Sequence, residues 1–184
     1  MAFGTNAASV PISAGIFAVG LPTLAAQLSD SPTALGWMLS GWGVGQLIGA
    51  LSAAITGLPR RWGLLIIAMT FIEGAVFATL GFTSDARVAA VLLGLLGVGV
   101  AYSTDVALPT FIQTTTPREL LGRVSSVLGL PRVLFEPVSI ALLGYALSRS
   151  LHWGFIAAAI PVLISGVIVT CQAKVLELTT DEAG

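Results

Sequence analysis

The sequence is divided into six apolar runs of bilayer length, and the breaks between them are too short to be anything but turns. A membrane helix needs about 20 consecutive apolar residues, and such runs fall at roughly 3–28, 34–57, 62–83, 87–113, 122–148 and 152–173. The breaks are Ser29-Asp30-Ser31-Pro32, Leu58-Pro59-Arg60-Arg61, Thr83-Ser84-Asp85, Thr114 to Glu119, and Ser148-Arg149-Ser150. Loops this short join antiparallel neighbours, so the chain reads as an all-α, polytopic membrane bundle of six helices over residues 1–173. A polar, acidic tail follows over 174–184. Only 9% of the residues are charged, against about 25% in soluble domains. So few charges cannot cover a soluble domain of this size, and the solvent for most of the chain must be lipid.

Composition also excludes several classes. The eight basic residues are scattered singly apart from Arg60-Arg61, which argues against a nucleic-acid partner. Cys171 is the only cysteine, so no internal disulfide or cysteine-based metal cluster can form. There is no phosphate-cradling loop, and Ser165 and His152 lie roughly 20 Å apart along one helix. The sequence therefore points to no enzyme, catalytic residue, metal or cofactor. The N-terminus lacks the basic region of a signal peptide and reads as the start of a retained helix.

Orientation follows from the basic residues at the helix ends. Arg60, Arg61, Arg118, Arg123 and Lys174 fall on one side, and Arg87 and Arg149 on the other, which places both termini in the cytoplasm. Trp37, Trp62 and Trp153 fall at predicted helix ends, where an indole gains by spanning apolar and wet layers.

The second run carries a ladder of small residues, Gly41, Gly45, Gly49, Ala53 and Gly57. A spacing of four keeps them on one slowly drifting face and lets another backbone approach closely. Ala90, Gly94, Gly97 and Ala101 repeat the device in the fourth run. The ladder serves either fixed packing or a surface that rocks against a partner helix.

Ionisable residues inside a membrane are costly, which makes them functional candidates. Asp105 sits about 12 Å from the end of the fourth run at 1.5 Å per residue, as a proton or substrate group or as a packing residue beside Ser103 and Thr104. Arg132 and Glu136 are four apart in the fifth run and can pair on one face; Pro131 and Pro137 flank them and should bend the helix there. The pair is either a self-neutralised kink or a gate. Glu73 in the third run is expected to pack inward against its own bundle. Gln46 and Asn6 are neutral cavity candidates, and His152 is expected at a solvated outer loop.

Several stretches carry a family resemblance. They are Gly20-Leu21-Pro22-Thr23-Leu24-Ala25, then Leu35-Gly36-Trp37, then Gly41-Trp42-Gly43-Val44-Gly45-Gln46-Leu47-Ile48-Gly49. The most specific is a Gly-rich helix passing through Gln113 into Pro117-Arg118-Glu119-Leu120-Leu121-Gly122-Arg123-Val124-Ser125. Over about residues 3–173 the chain resembles the C-terminal half of a major facilitator superfamily transporter, helices seven to twelve of twelve, in the drug- or siderophore-exporter branch. The resemblance implies two three-helix repeats and a multi-pass protein of the cell membrane. It also implies proton-coupled, antiport-type efflux of a small amphipathic molecule, with substrate held between two halves. By analogy Asp105, Arg132, Glu136 and Gln46 would handle substrate or protons. Arg60, Arg61, Arg118, Glu119, Gly122 and Arg123 would latch the cytoplasmic face.

Two departures stand beside it. The loop Gly57-Leu58-Pro59-Arg60-Arg61-Trp62-Gly63-Leu64 lacks the family's acid and final arginine, and six helices are half of twelve. The expected partners are the lipid bilayer, the small molecule with protons, and either a missing N-terminal half or a second copy of the chain. The alternatives are a truncated, inactive remnant and a non-transporting membrane subunit packed on a partner through its glycine faces.

Overall fold

The computed structural model describes residues 10–28, 33–57 and 62–171, all of them helix or short turn. Six helices in it are long and apolar enough to cross a membrane. They are α1 (Val10–Leu28), α2 (Thr33–Thr56), α3 (Trp62–Leu80), α4 (Ala86–Val100, continued by Ala101–Ala107 and Leu108–Thr115), α5 (Leu121–Arg149) and α6 (Leu151–Cys171). Asn6, the loop with Arg60 and Arg61, and the tail from Lys174 lie outside the described residues.

The helices begin and end where local chemistry allows. Asp85 takes an extended conformation before α4, and its carboxylate accepts the Arg87 amide at 2.8 Å, satisfying one of the donors a helix start leaves orphaned. Gly57 ends α2 at φ 70°, a left-handed cap that a side chain would resist. A Cβ at Gly57 would meet nothing within 4 Å, so this glycine terminates the helix and stands apart from the ladder to which its spacing assigned it. A single extended residue, Ser150, separates α5 from α6.

Two helices are not regular throughout. Ile16–Gly20 in α1 and Ala101–Ala107 in α4 are π-helical. Each widened stretch ends two residues before a proline, Pro22 and Pro109 respectively. Proline lacks the amide that would close the ladder, and its ring crowds the carbonyl four residues back. A widened turn relieves that crowding. The sequence around the two sites matches at four of five positions: Val19-Gly20-Leu21-Pro22-Thr23 and Val106-Ala107-Leu108-Pro109-Thr110. In both, the threonine hydroxyl donates to the valine carbonyl four residues back, at 2.7 Å from Thr23 and 2.6 Å from Thr110. By contrast α5 stays α-helical across Pro131 and Pro137.

Packing is uneven. At the end where α1 joins α2, α3 joins α4 and α5 joins α6, one large core holds Leu24, Met38, Phe77, Leu93, Leu147 and Phe155 among others. The opposite end has a separate, smaller cluster of Ile67 and Val169 with Phe71 against it. Helix α5 is the least covered: no described residue before Leu143 is buried. The pairs that hold the bundle are α2 with α4, α3 with α6, and α5 with α6. Lipid tails are as apolar as leucine, so these contacts rest on close packing more than on water exclusion.

The α2–α4 seam is the closest of them. The two helices run parallel, with Gly41 opposite Ala90, Gly45 opposite Gly94 and Gly49 opposite Val98. A Cβ placed on these three glycines would come within 2.3, 2.0 and 2.3 Å of the facing carbonyl oxygens. Ala53, one turn further, is buried. The spacing of four therefore brings backbone against backbone along three successive turns.

Candidate functional site

The seam fixes what stands beside it. Gly97 of α4 faces the Trp42 carbonyl, 2.7 Å from where its Cβ would be, and the Gln46 amide, at 3.1 Å. Trp42 and Gln46, one turn apart, therefore lie tight against α4. Trp42 in turn packs on Phe17 of the α1 widened turn, with ring centroids 4.6 Å apart at 56°. The Gln46 side-chain amide donates to Asp105 Oδ2 across 3.4 Å, a long contact. Asp105 belongs to the widened turn of α4. Both π-helical turns thus adjoin the same stretch of α2, and the two polar candidates Gln46 and Asp105 meet there.

Asp105 is exposed at the surface of the six-helix bundle. Its neighbour Ser103 turns elsewhere: its hydroxyl donates to the Gly99 carbonyl at 2.7 Å and lies 3.4 Å from the Thr104 hydroxyl. Three residues before Asp105, the Tyr102 hydroxyl donates to the Gly57 carbonyl at 3.0 Å and lies 2.9 Å from the Thr56 hydroxyl. Tyr102 thereby ties the end of α2 to the turn that carries Asp105. Sequence reasoning passed over it, although a tyrosine three residues from a membrane acid was the available signal.

The second polar pair also lies on an outer face. Arg132 Nε donates to Glu136 Oε2 at 3.0 Å along α5, with the two side chains 64% and 31% exposed. An apolar crevice of about 410 Å³ lies among α1, α5 and α6, walled by Pro11, Ile12, Phe135, Val138 and Leu142 among others. Phe135 directly precedes Glu136.

The other candidates are more local. The Ser13 hydroxyl of α1 donates to Glu73 Oε1 of α3, so Glu73 engages its own bundle. Arg118, Glu119, Gly122 and Arg123 are all exposed, at the turn into α5 and on its first residues. His152 meets Phe82 edge to face, ring centroids 5.2 Å apart, which ties the α3–α4 loop to the start of α6. Among the described residues no group of three or more His, Cys, Asp or Glu side chains could hold a metal ion.

Chemically, the arrangement offers carboxylates, an amide and a guanidinium spaced along otherwise apolar helices, with an apolar crevice alongside. That combination can bind a polar group and an apolar body together, and its carboxyls can exchange protons with an adjoining aqueous space.

No family model and no solved structure matches the chain. Curated proteins do. The chain is 31% identical to the multidrug efflux pump Tap of Mycolicibacterium fortuitum over 153 residues, which cover 81% of this chain and 36% of that protein. It is 29% identical over 143 residues to the proteins of the same name from Mycobacterium bovis and Mycobacterium tuberculosis, covering 76% of this chain and 33% of theirs. The chain thus spans about a third of the length of the curated relatives it matches, and each of those relatives is named as a multidrug efflux pump.

Proposed function

We propose that this chain forms one six-helix half of a proton-coupled efflux transporter of the major facilitator type, exporting small amphipathic molecules across the cell membrane. The observation that carries the reading is where the membrane-depth polar groups lie. Asp105, Arg132 and Glu136 sit on outer faces of the six-helix bundle. Charged side chains within membrane segments are stable where they face protein or a water-filled cavity, and are costly against lipid. These faces therefore need a second bundle or an aqueous cavity beside them, as a transporter with its site between two halves provides. The similarity to efflux pumps more than twice as long supports the same arrangement.

In this reading Asp105 exchanges the coupling proton, and Gln46 holds its carboxylate on the side facing the cavity. The Arg132–Glu136 pair gates the site or balances charge in it, and the crevice beside Phe135 receives the apolar part of the substrate. Arg118, Glu119 and Arg123, at the opposite end from the large core, lie where a cytoplasmic latch would act. Both termini then face the cytoplasm. The adjoining half is either further chain, as in the longer relatives, or a second copy. Two copies related by an axis along the membrane normal satisfy the geometry.

The test is export of an amphipathic cationic dye, ethidium, from an efflux-deficient bacterium expressing the complete reading frame. Asp105→Asn is expected to abolish export driven by a pH gradient while membrane insertion, read by immunoblot of the membrane fraction, stays at the parent level. Unchanged export by Asp105→Asn removes the proton-carrier role, and no export by the parent chain removes the transport reading.

A further inference from the structure

We infer that the outer face of the α2–α4 seam is a binding site for one anionic phospholipid, its phosphate at Arg87 and one acyl chain laid along the glycines. A groove of about 550 Å³ runs down this face, between Trp37, Val44 and Ile48 of α2 and Arg87, Val91 and Val98 of α4, with Gly41, Gly45 and Gly94 on its lining. Apart from Arg87 and Ser40 the lining is apolar. The glycines let the two backbones meet, and they line the groove between the side chains that stand on either side of it.

Three observations select the occupant. The first is length. Trp37 to Ile48, and Arg87 to Val98, each span eleven residues, or about 16 Å at 1.5 Å per residue. That is close to one leaflet, half of the about 30 Å hydrocarbon core. The second is the end of the groove. Trp37, 59% exposed, and Arg87 stand together in the first turns of two parallel helices, where tryptophan favours the headgroup layer and arginine attracts phosphate. Asp85 is nearby, but its carboxylate is held to the helix cap by the Arg87 amide. The third is direction. Val44 and Gln46 are two residues apart on α2, so they project to opposite sides of the helix. The polar site with Asp105 lies on the Gln46 side, and the groove lies on the Val44 side. A second bundle meeting the polar face leaves the groove to lipid. The inference needs only that the chain spans a membrane and stands whether or not it transports.

Trp37 reports on the site directly. A chain whose only tryptophan is Trp37 (Trp42→Phe, Trp62→Phe, Trp153→Phe) is reconstituted into nanodiscs containing brominated phosphatidylglycerol or brominated phosphatidylcholine at equal mole fraction. Bromine quenches tryptophan on contact, so quenching measures occupancy. The anionic lipid is expected to occupy the groove with roughly fivefold preference, the ratio equivalent to the about 1 kcal/mol one basic residue gains at an anionic surface. Arg87→Gln should reduce that preference to about one, and Arg87→Lys should retain most of it. Native mass spectrometry of the chain with all four tryptophans should show one retained phosphatidylglycerol, lost in Arg87→Gln. Equal quenching by the two lipids, no quenching because a protein partner covers the groove, or a preference unchanged in Arg87→Gln each overturns the proposal.

Discussion

Alanine at Gly45 and alanine at Gly43 are the same chemical change two residues apart on one helix, yet the structure assigns them opposite effects. A Cβ at Gly43 meets nothing within 4 Å. Substitution there removes only the conformational freedom of glycine and should stabilise a helix by up to about 1 kcal/mol. A Cβ at Gly45 would sit 2.0 Å from the Gly94 oxygen, where ordinary contact begins at 3.4 Å, so α2 and α4 must part by about 1.4 Å. A gap of 0.5–1 Å already forfeits about a quarter to a half of each dispersion contact. The loss extends along the seam, because a Cβ at Gly41 or Gly49, one turn away on either side, would also lie only 2.3 Å from the facing oxygen. Overpacking of this kind costs about 1–3 kcal/mol, so the two variants should differ by about 1–4 kcal/mol. Unfolding of the purified chain by graded addition of SDS to mixed micelles, followed by circular dichroism, reads the difference. Gly45→Ala should unfold at a lower SDS fraction than the parent, and Gly43→Ala at the same or a higher one. If Gly45→Ala proves as stable as Gly43→Ala, the backbone-on-backbone seam is refuted.

Two further outcomes follow from the polar groups and the widened turns. Arg132→Ala leaves the Glu136 carboxylate without its partner at membrane depth, where a charge costs about 2.5–3.5 kcal/mol on insertion scales. The yield of inserted protein should fall in Arg132→Ala and recover when Glu136→Leu is added; no recovery would mean the pair does not neutralise itself. Pro109→Ala restores the amide that α4 lacks, so the widened turn should tighten and carry Asp105 off Gln46. A chain with Gln46→Cys, Asp105→Cys and Cys171→Ser should cross-link with a short bifunctional reagent, and adding Pro109→Ala should reduce that cross-linking severalfold. Equal cross-linking in both backgrounds would separate the proline from the position of Asp105.

The contrast between Gly45 and Gly57 shows what the sequence could carry. Among the described residues hydropathy marks the span boundaries to within a few residues, because chain length against bilayer thickness is a one-dimensional constraint. A spacing of four is also one-dimensional, and it places Gly41, Gly45, Gly49 and Ala53 on one face while the helix stays regular. It does not say where the helix ends, so Gly57 continues the period although its backbone turns left-handed there. Arg132 and Glu136 pair for the same local reason that made them legible: four residues on an α-helix is one turn. The meeting of Gln46 with Asp105, 59 residues apart, lies beyond that logic, because Asp105 stands inside a widened turn that shifts the face of everything after it. The signal for that shift was nonetheless present as a repeat, Val-x-Leu-Pro-Thr in α1 and again in α4. Each copy has its proline two residues beyond a π-helical stretch and its threonine bonded to its valine. With α1 and α4 opening the two three-helix repeats that the family resemblance implies, the copies occupy equivalent places in helices that run in opposite directions. One widened turn then lies towards each face of the membrane, and both adjoin the same stretch of α2. A period read along one helix could not show this; aligning the two halves of the chain on their prolines would have.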